Sequence, residues 1–357
     1  MQDHVATRSW SPSYHRYVIL ICRFAPLRVL GLNHQDTLRS VNNLAMSYYG
    51  VEDYEKASEL YERALEAWTE QLGWEHTNTL MTCNGLAGVY FSSKEYDRSI
   101  EMYDLVVKGF KRSMGEFHPL TLIAISNLAN VFRKTNENDK ALDLFESAMK
   151  GNEKTKGVDH ADTLSAYSDL ACVYESLGFH DKAILYYHKA LRGQEASLGR
   201  DHLVTLTTAN ELGAAYYSKS ALEMCVKLYQ RVLAGRKKHH KDDLVPNESV
   251  LDTMNNLALV LKKMGRLEEA LALFDDAAKG YETVQGEYGV DLAMTMSNIG
   301  DILVDLDDLD RGTETLRHAL DLQVSRKLGA ERVSSGASIE RSEYRAKRDY
   351  IGEYNIT

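Results

Sequence analysis

The sequence predicts an all-α fold, a solenoid of about seven consecutive helix pairs, and three observations predict it. Histidine recurs every 42 residues at His34, His76, His118, His160 and His202, and glycine keeps the same interval at Gly31, Gly73, Gly115, Gly157 and Gly199. Between successive markers run two apolar stripes with helical spacing, separated by a polar turn. Small and aromatic residues then repeat in strict register. A period of roughly 20 to 50 residues marks stacked units, none of which can bury its apolar faces alone.

The elements follow in order. Residues 1–33 are the least regular, with Pro26 inside an apolar stretch, and read as a degenerate N-terminal cap after a disordered start. The array occupies 34–328. In its first unit Leu38, Val41, Leu44, Ala45 and Tyr48 form one face of helix A. Tyr54, Ala57, Leu60, Tyr61, Ala64, Leu65 and Trp68 form one face of helix B. Later units copy this. The small residue of helix A is Ala45, Ala87, Ala129, Ala171 and Gly213, and the aromatic of helix B is Tyr61, Tyr103, Phe145, Tyr187 and Tyr229. A missing side chain on one helix admits an aromatic from its neighbour, as close crossing requires.

The register then slips. The next small residue is Ala258, 45 residues after Gly213, and Gly300 follows at 42. The insertion falls near 236–248, where the linker also loses its Gly and His, and a longer exposed loop is expected there. Residues 329–357 are polar and form a tail or a short capping helix.

Composition narrows the function. The formal net charge of −10 argues against general nucleic-acid or membrane-surface binding. Cys22, Cys83, Cys172 and Cys225 are scattered without metal-site or disulfide-framework spacing, which fits the cytoplasm. The apolar run near Tyr17–Leu32 is broken by Arg23 and falls short of a bilayer span. Histidines one repeat apart are displaced by a helix pair, on the order of 10 Å, and cannot share an ion. They read as linker residues that fix the start of helix A, with Thr37, Thr79, Thr121, Thr163 and Thr205 as helix-start residues in the same role. No cofactor or catalytic constellation is legible, so the chain reads as a non-enzyme.

Within each unit the order Leu44-Ala45, Tyr48, Ala57, Tyr61, Ala64 resembles the tetratricopeptide repeat (TPR). The 42-residue length and the linkers Leu72-Gly73…His76…Thr79-Leu80 and Leu198-Gly199…His202…Thr205-Leu206 are similar to those of kinesin light chains. TPR arrays of NB-ARC signalling proteins share the variant. The resemblance implies a right-handed superhelix whose helix A residues line a concave surface. It also implies a protein partner, bound as an extended peptide segment, with kinesin heavy chain and signalling proteins as the family's candidates. Two departures count against a whole-protein match: no heptad coiled coil precedes His34, and no GKS/GKT nucleotide loop is present.

By that resemblance the inward positions include Asn42, Asn84, Asn210 and Asn255, with Asn43, Asn127, Asn256 and Asn298 one residue on. Amides offer a donor and an acceptor to a peptide backbone; the competing reading is that one such column bonds to the neighbouring repeat and orders the stack. Further along the same face stand Asn130, and then Tyr49, Phe91, Arg133, Tyr217 and Lys262. The functional reading is a kinesin light chain-like adaptor that scaffolds a partner peptide. The alternatives are a sensor array related to NB-ARC proteins and a self-associating scaffold.

Overall fold

The computed structural model describes residues 31, 33–241, 243, 245–286 and 289–335, with side chains through Ser325. Among them are fourteen α-helices and no strand. The expected cap over 1–30 and the tail over 336–357 lie outside the described residues. The chain divides into two compact units at Gly193/Gln194.

The first unit contains α1 (Gln35–Gly50), α2 (Tyr54–Leu72), α3 (Thr77–Ser92), α4 (Tyr96–Met114), α5 (Pro119–Lys134), α6 (Asn138–Lys156) and α7 (Ala161–Ser176). The division falls within α8 (His180–Leu198). The second unit continues with α9 (Leu203–Ser218), α10 (Leu222–His239), α11 (Glu248–Lys263), α12 (Leu267–Gln285), α13 (Val290–Asp305) and α14 (Leu309–Ser335). Within each unit consecutive helices pack as antiparallel neighbours, and in the first α1 also touches α3 and α3 touches α5. The last helix runs beyond Gly329, where the apolar period ends; its backbone outlasts its stripe.

Linker chemistry makes the period. Gly73 and Gly115 adopt φ of 81° and 94° with extended ψ, a region in which a Cβ clashes with the backbone, so helix B ends there. The next histidine is the N-cap: Nδ1 of His34, His76, His118, His160 and His202 accepts the backbone N–H two residues on, at 3.1–3.2 Å. Accepting at Nδ1 selects the tautomer that carries its ring proton on Nε2. The threonines have a different task from the one expected. Each is the third helical residue, and the Thr79, Thr121 and Thr163 hydroxyls donate back to the carbonyls of Gly73, Gly115 and Gly157. Linker and helix start are thereby tied in both directions.

The cores bear out the small-beside-large pattern. A Cβ added to Gly213 would lie 2.8 Å from the Tyr229 ring. A second small column was not anticipated. Gly109 and Gly151 stand inside the second helices, where a Cβ would meet Leu80 and Leu122 at 2.5 and 2.4 Å. The same contact recurs for Gly235 with Leu206 and Gly280 with Leu251. These glycines forgo about 1 kcal/mol of helix propensity each and gain close approach of the two helices of a pair.

The inserted segment also differs from expectation. Helix α10 continues to His239, so the lengthened linker is 240–247, and Asn247 takes the capping role, its side chain accepting from Ser249 N at 3.0 Å. Arg236 is not on the loop. It is 8% exposed and donates to Ser249 O and Thr253 Oγ1, both at 2.7 Å. Burial pulls its guanidinium pKa down, against the pull of Asp252 and Glu211.

Candidate functional site

The predicted positions come together along the first helices of successive pairs, separately within each unit. In the first unit Asn42 Nδ2 donates to Thr82 Oγ1 at 2.7 Å, across to the next repeat. Asn127 Nδ2 donates to Asn84 Oδ1 at 3.3 Å, and the hydroxyls of Tyr49 and Ser92 meet at 2.9 Å. Arg133 donates to Asn130 Oδ1 at 3.0 Å and to Cys172 Sγ at 3.6 Å. Asn130 in turn donates to Ser126 O at 3.1 Å. The rings of Tyr49 and Phe91 pack against Tyr54 and Tyr96, with centroids 5.8 and 6.0 Å apart. Asn43 and Met46 are exposed.

In the second unit Asn255 and Thr295 exchange hydrogen bonds at 2.9 and 3.2 Å, the counterpart of Asn42 with Thr82. Lys262 pairs with Asp301 at 3.0 Å. Lys263 sits 4.4 Å over the Tyr217 ring and reaches Ser220 Oγ at 3.3 Å. Asn298 donates to its own helix at Met294 O, 3.2 Å away, and Asn256 is half-buried. Asn210 differs in making no such bond to the next repeat, although its Oδ1, like that of Asn42, is buried without a partner. The threonine in the register of Thr82 and Thr295 is here Thr253, and Arg236 has taken it.

The asparagine columns therefore divide by task. Asn42 and Asn255 spend their donors on the neighbouring repeat and order the stack. Asn43 has no side-chain hydrogen bond among the described residues, and in the Asn84–Asn127 pair Asn84 Nδ2 and Asn127 Oδ1 keep their hydrogen-bonding capacity. One residue escaped the sequence reading. Asp169 stands in the register of Asn43 and Asn127, and burial raises its carboxyl pKa to about 6 despite the opposing pull of the Arg133 charge. The available signal was an ionisable residue within an asparagine column. Among the described residues no group of His, Cys, Asp or Glu has metal-site geometry, and no helix is long and apolar enough to cross a membrane.

Comparison with known proteins agrees with this architecture. The tetratricopeptide repeat model matches residues 36–87, 76–154, 138–196, 162–238 and 249–323. No curated protein sequence matches. Among solved structures, a kinesin-light-chain-like protein from Podosopora anserina with nearly identical TPR-like repeats is similar at 24% identity and a TM-score of 0.52, covering 58% of this chain and 99% of its own. The apo quorum sensor NprR from B. thuringiensis is similar at 16% identity and a TM-score of 0.64, with 87% and 86% covered. A signal transduction ATPase with numerous domains and a tetratricopeptide repeat sensor, from Pyrococcus horikoshii, gives 12% identity and a TM-score of 0.67, with 89% of this chain and 45% of that one covered. At these identities the structures speak for the fold. The chain belongs to the tetratricopeptide repeat family.

Proposed function

We propose that this tetratricopeptide repeat protein is a non-catalytic scaffold, a kinesin light chain-like adaptor that holds an extended peptide segment of a partner protein along its helix A side chains. The observation that carries the reading is the Asn84–Asn127 pair, which bridges adjacent first helices at 3.3 Å and still offers one donor and one acceptor. An extended backbone presents alternating C=O and N–H groups, which two amides in fixed register can satisfy whatever the peptide sequence. Tyr49 and Phe91 supply apolar contact on one side of the pair, and Arg133 with Asp169 supplies opposed charges on the other. A cytoplasmic setting suits Cys83 and Cys225, which are buried and form no disulfide.

The test is a proteome pulldown with wild type beside Asn84→Ala/Asn127→Ala, the variant first shown by circular dichroism to keep its helicity. Specific partners are expected to fall at least ~10-fold in recovery, the scale of losing a central contact. Survival of every partner at wild-type level refutes the peptide strip. A dimer at micromolar concentration that excludes those partners would favour the self-associating scaffold.

A further inference from the structure

A pocket of about 480 Å³ opens between the second helices of the first two repeats, α2 and α4, with α3 contributing Leu86 and Tyr90. At ~100° per residue, Leu86 and Tyr90 project from the side of α3 away from Asn84, so this is a different surface from the asparagine strip. The floor is apolar, made by Leu65, Leu86 and Met102. One rim carries Glu62, Glu66 and Glu70, spaced by four on one face of α2, and Trp74 stands at the end, 46% exposed.

Glu62 is already engaged. It accepts from Tyr90 OH at 2.7 Å and lies 3.6 Å from Arg98, whose guanidinium stacks on the Tyr90 ring at 4.1 Å. This network closes one end of the pocket. Glu66 and Glu70 are exposed and pair with no cation among the described residues.

Comparison between repeats shows that the fold does not require these acids. The register of Glu66 holds Lys108, Lys150, Arg192, Ala234 and Lys279, with an acid again only at Asp321, and that of Glu70 holds Arg112, Lys154, Ala196, Lys238, Thr283 and Ser325. Basic residues there satisfy the helix's own carboxylates: Lys108 pairs with Asp104, and Lys150 with Glu146 at 3.0 Å. The first repeat reverses the charge and gives up that pairing, beside an apolar floor. Trp74 is equally individual, replaced by Glu116, Val158 and Arg200 in the following linkers. A volume in the range of small-ligand sites, an apolar floor, two uncompensated carboxylates and a half-exposed indole together specify a cation with an apolar stem.

We propose that this pocket receives a basic segment of a partner protein, one apolar side chain resting on Leu65, Leu86 and Met102 while a neighbouring lysine or arginine is held between Glu66, Glu70 and Trp74. The site is independent of the asparagine strip, so either can fail without the other. The probe is an acetylated, amidated Leu-Arg-Leu-Arg peptide titrated calorimetrically into the full chain, beside its Leu-Glu-Leu-Glu counterpart. The basic peptide is expected to saturate below ~1 mM and the acidic one to give no binding. Glu66→Lys/Glu70→Arg installs the residues that the second repeat carries at the same register, so the helix is expected to persist; it should weaken the basic peptide at least ~10-fold. Trp74→Ala, in an exposed linker, should weaken it several-fold. Absence of saturation, equal binding of the two peptides, or unchanged affinity in the folded double variant each overturns the proposal.

Discussion

Arg236 and Asp169 each put a charge into a register held mostly by neutral residues, and the two treat that charge in opposite ways. The register of Arg236 holds Trp68, Phe110, Asn152, Gln194 and Tyr281; that of Asp169 holds Asn43, Gly85, Asn127, Asn256 and Asn298, with one further acid at Glu211. Arg236 is enclosed and satisfied, with two hydrogen bonds of 2.7 Å into the start of α11. The Asp169 carboxyl has no hydrogen bond among the described residues and keeps its pKa near 6. A buried charge with its partners supplied is a structural joint. A desolvated charge left short of partners keeps its hydrogen-bonding capacity unspent.

This contrast can be broken experimentally, beginning with its strongest arm. Arg236→Ala removes two hydrogen bonds from a buried charged donor, leaving Ser249 O only its bond from Thr253 Oγ1, and should lower stability by about 3 kcal/mol, read as a lower urea midpoint. A loss under ~1 kcal/mol would show the arginine to be a passenger.

The opposite sign is expected for Asp169→Asn. The folded carboxyl holds its proton up to about pH 6, whereas the unfolded one releases it near pH 4. Wild-type stability should therefore fall as pH rises through that window and level off above it. The asparagine variant lacks this slope and should be more stable at pH 8 by about 1–3 kcal/mol, measured by denaturant melts at pH 4, 6 and 8. Parallel pH profiles for the two proteins would contradict the assignment.

A third departure from register sharpens the comparison at the smallest scale. Asn247 stands where the five earlier linkers place histidine, and both accept a backbone N–H at 3.0–3.2 Å. Asn247→Ala and His118→Ala should each cost about 1 kcal/mol, while His118→Asn should stay within ~0.5 kcal/mol of wild type by thermal unfolding. A large effect of His118→Asn would assign the imidazole a task beyond capping.

Much of this was legible in the sequence, because repetition converts packing into a visible period. The histidine and glycine intervals gave the linkers, and the Gly213 and Tyr229 columns gave a contact that the structure shows. The illegible part concerns side chains whose role is set by a neighbour absent from their own repeat. Asn42 looks identical to a groove residue until Thr82 is placed 2.7 Å away. Arg236 reads as part of the inserted loop near 236–248 until the next helix closes over it. Gly109 and Gly151 look like weak points in a helix, since the leucines they admit lie 29 residues earlier on the partner helix. Asp169 shares with Glu211 an acidic side chain in a column held mostly by amides, and only burial makes its charge expensive.

The capped linkers also bear on how such a chain can change over generations. Gly73, Gly115 and Gly157 end one repeat with the same backbone conformation, and His76, His118 and His160 begin the next with the same bond. A duplication or deletion of one 42-residue period between any two of these junctions joins compatible ends, so copy number can drift without new solutions to chain entry and exit. The junction at 240–247 lacks that interchangeability, because it differs in cap and in length and carries the Arg236 clasp. Growth by copying is therefore open on its N-terminal side and would stall where the arginine crosses.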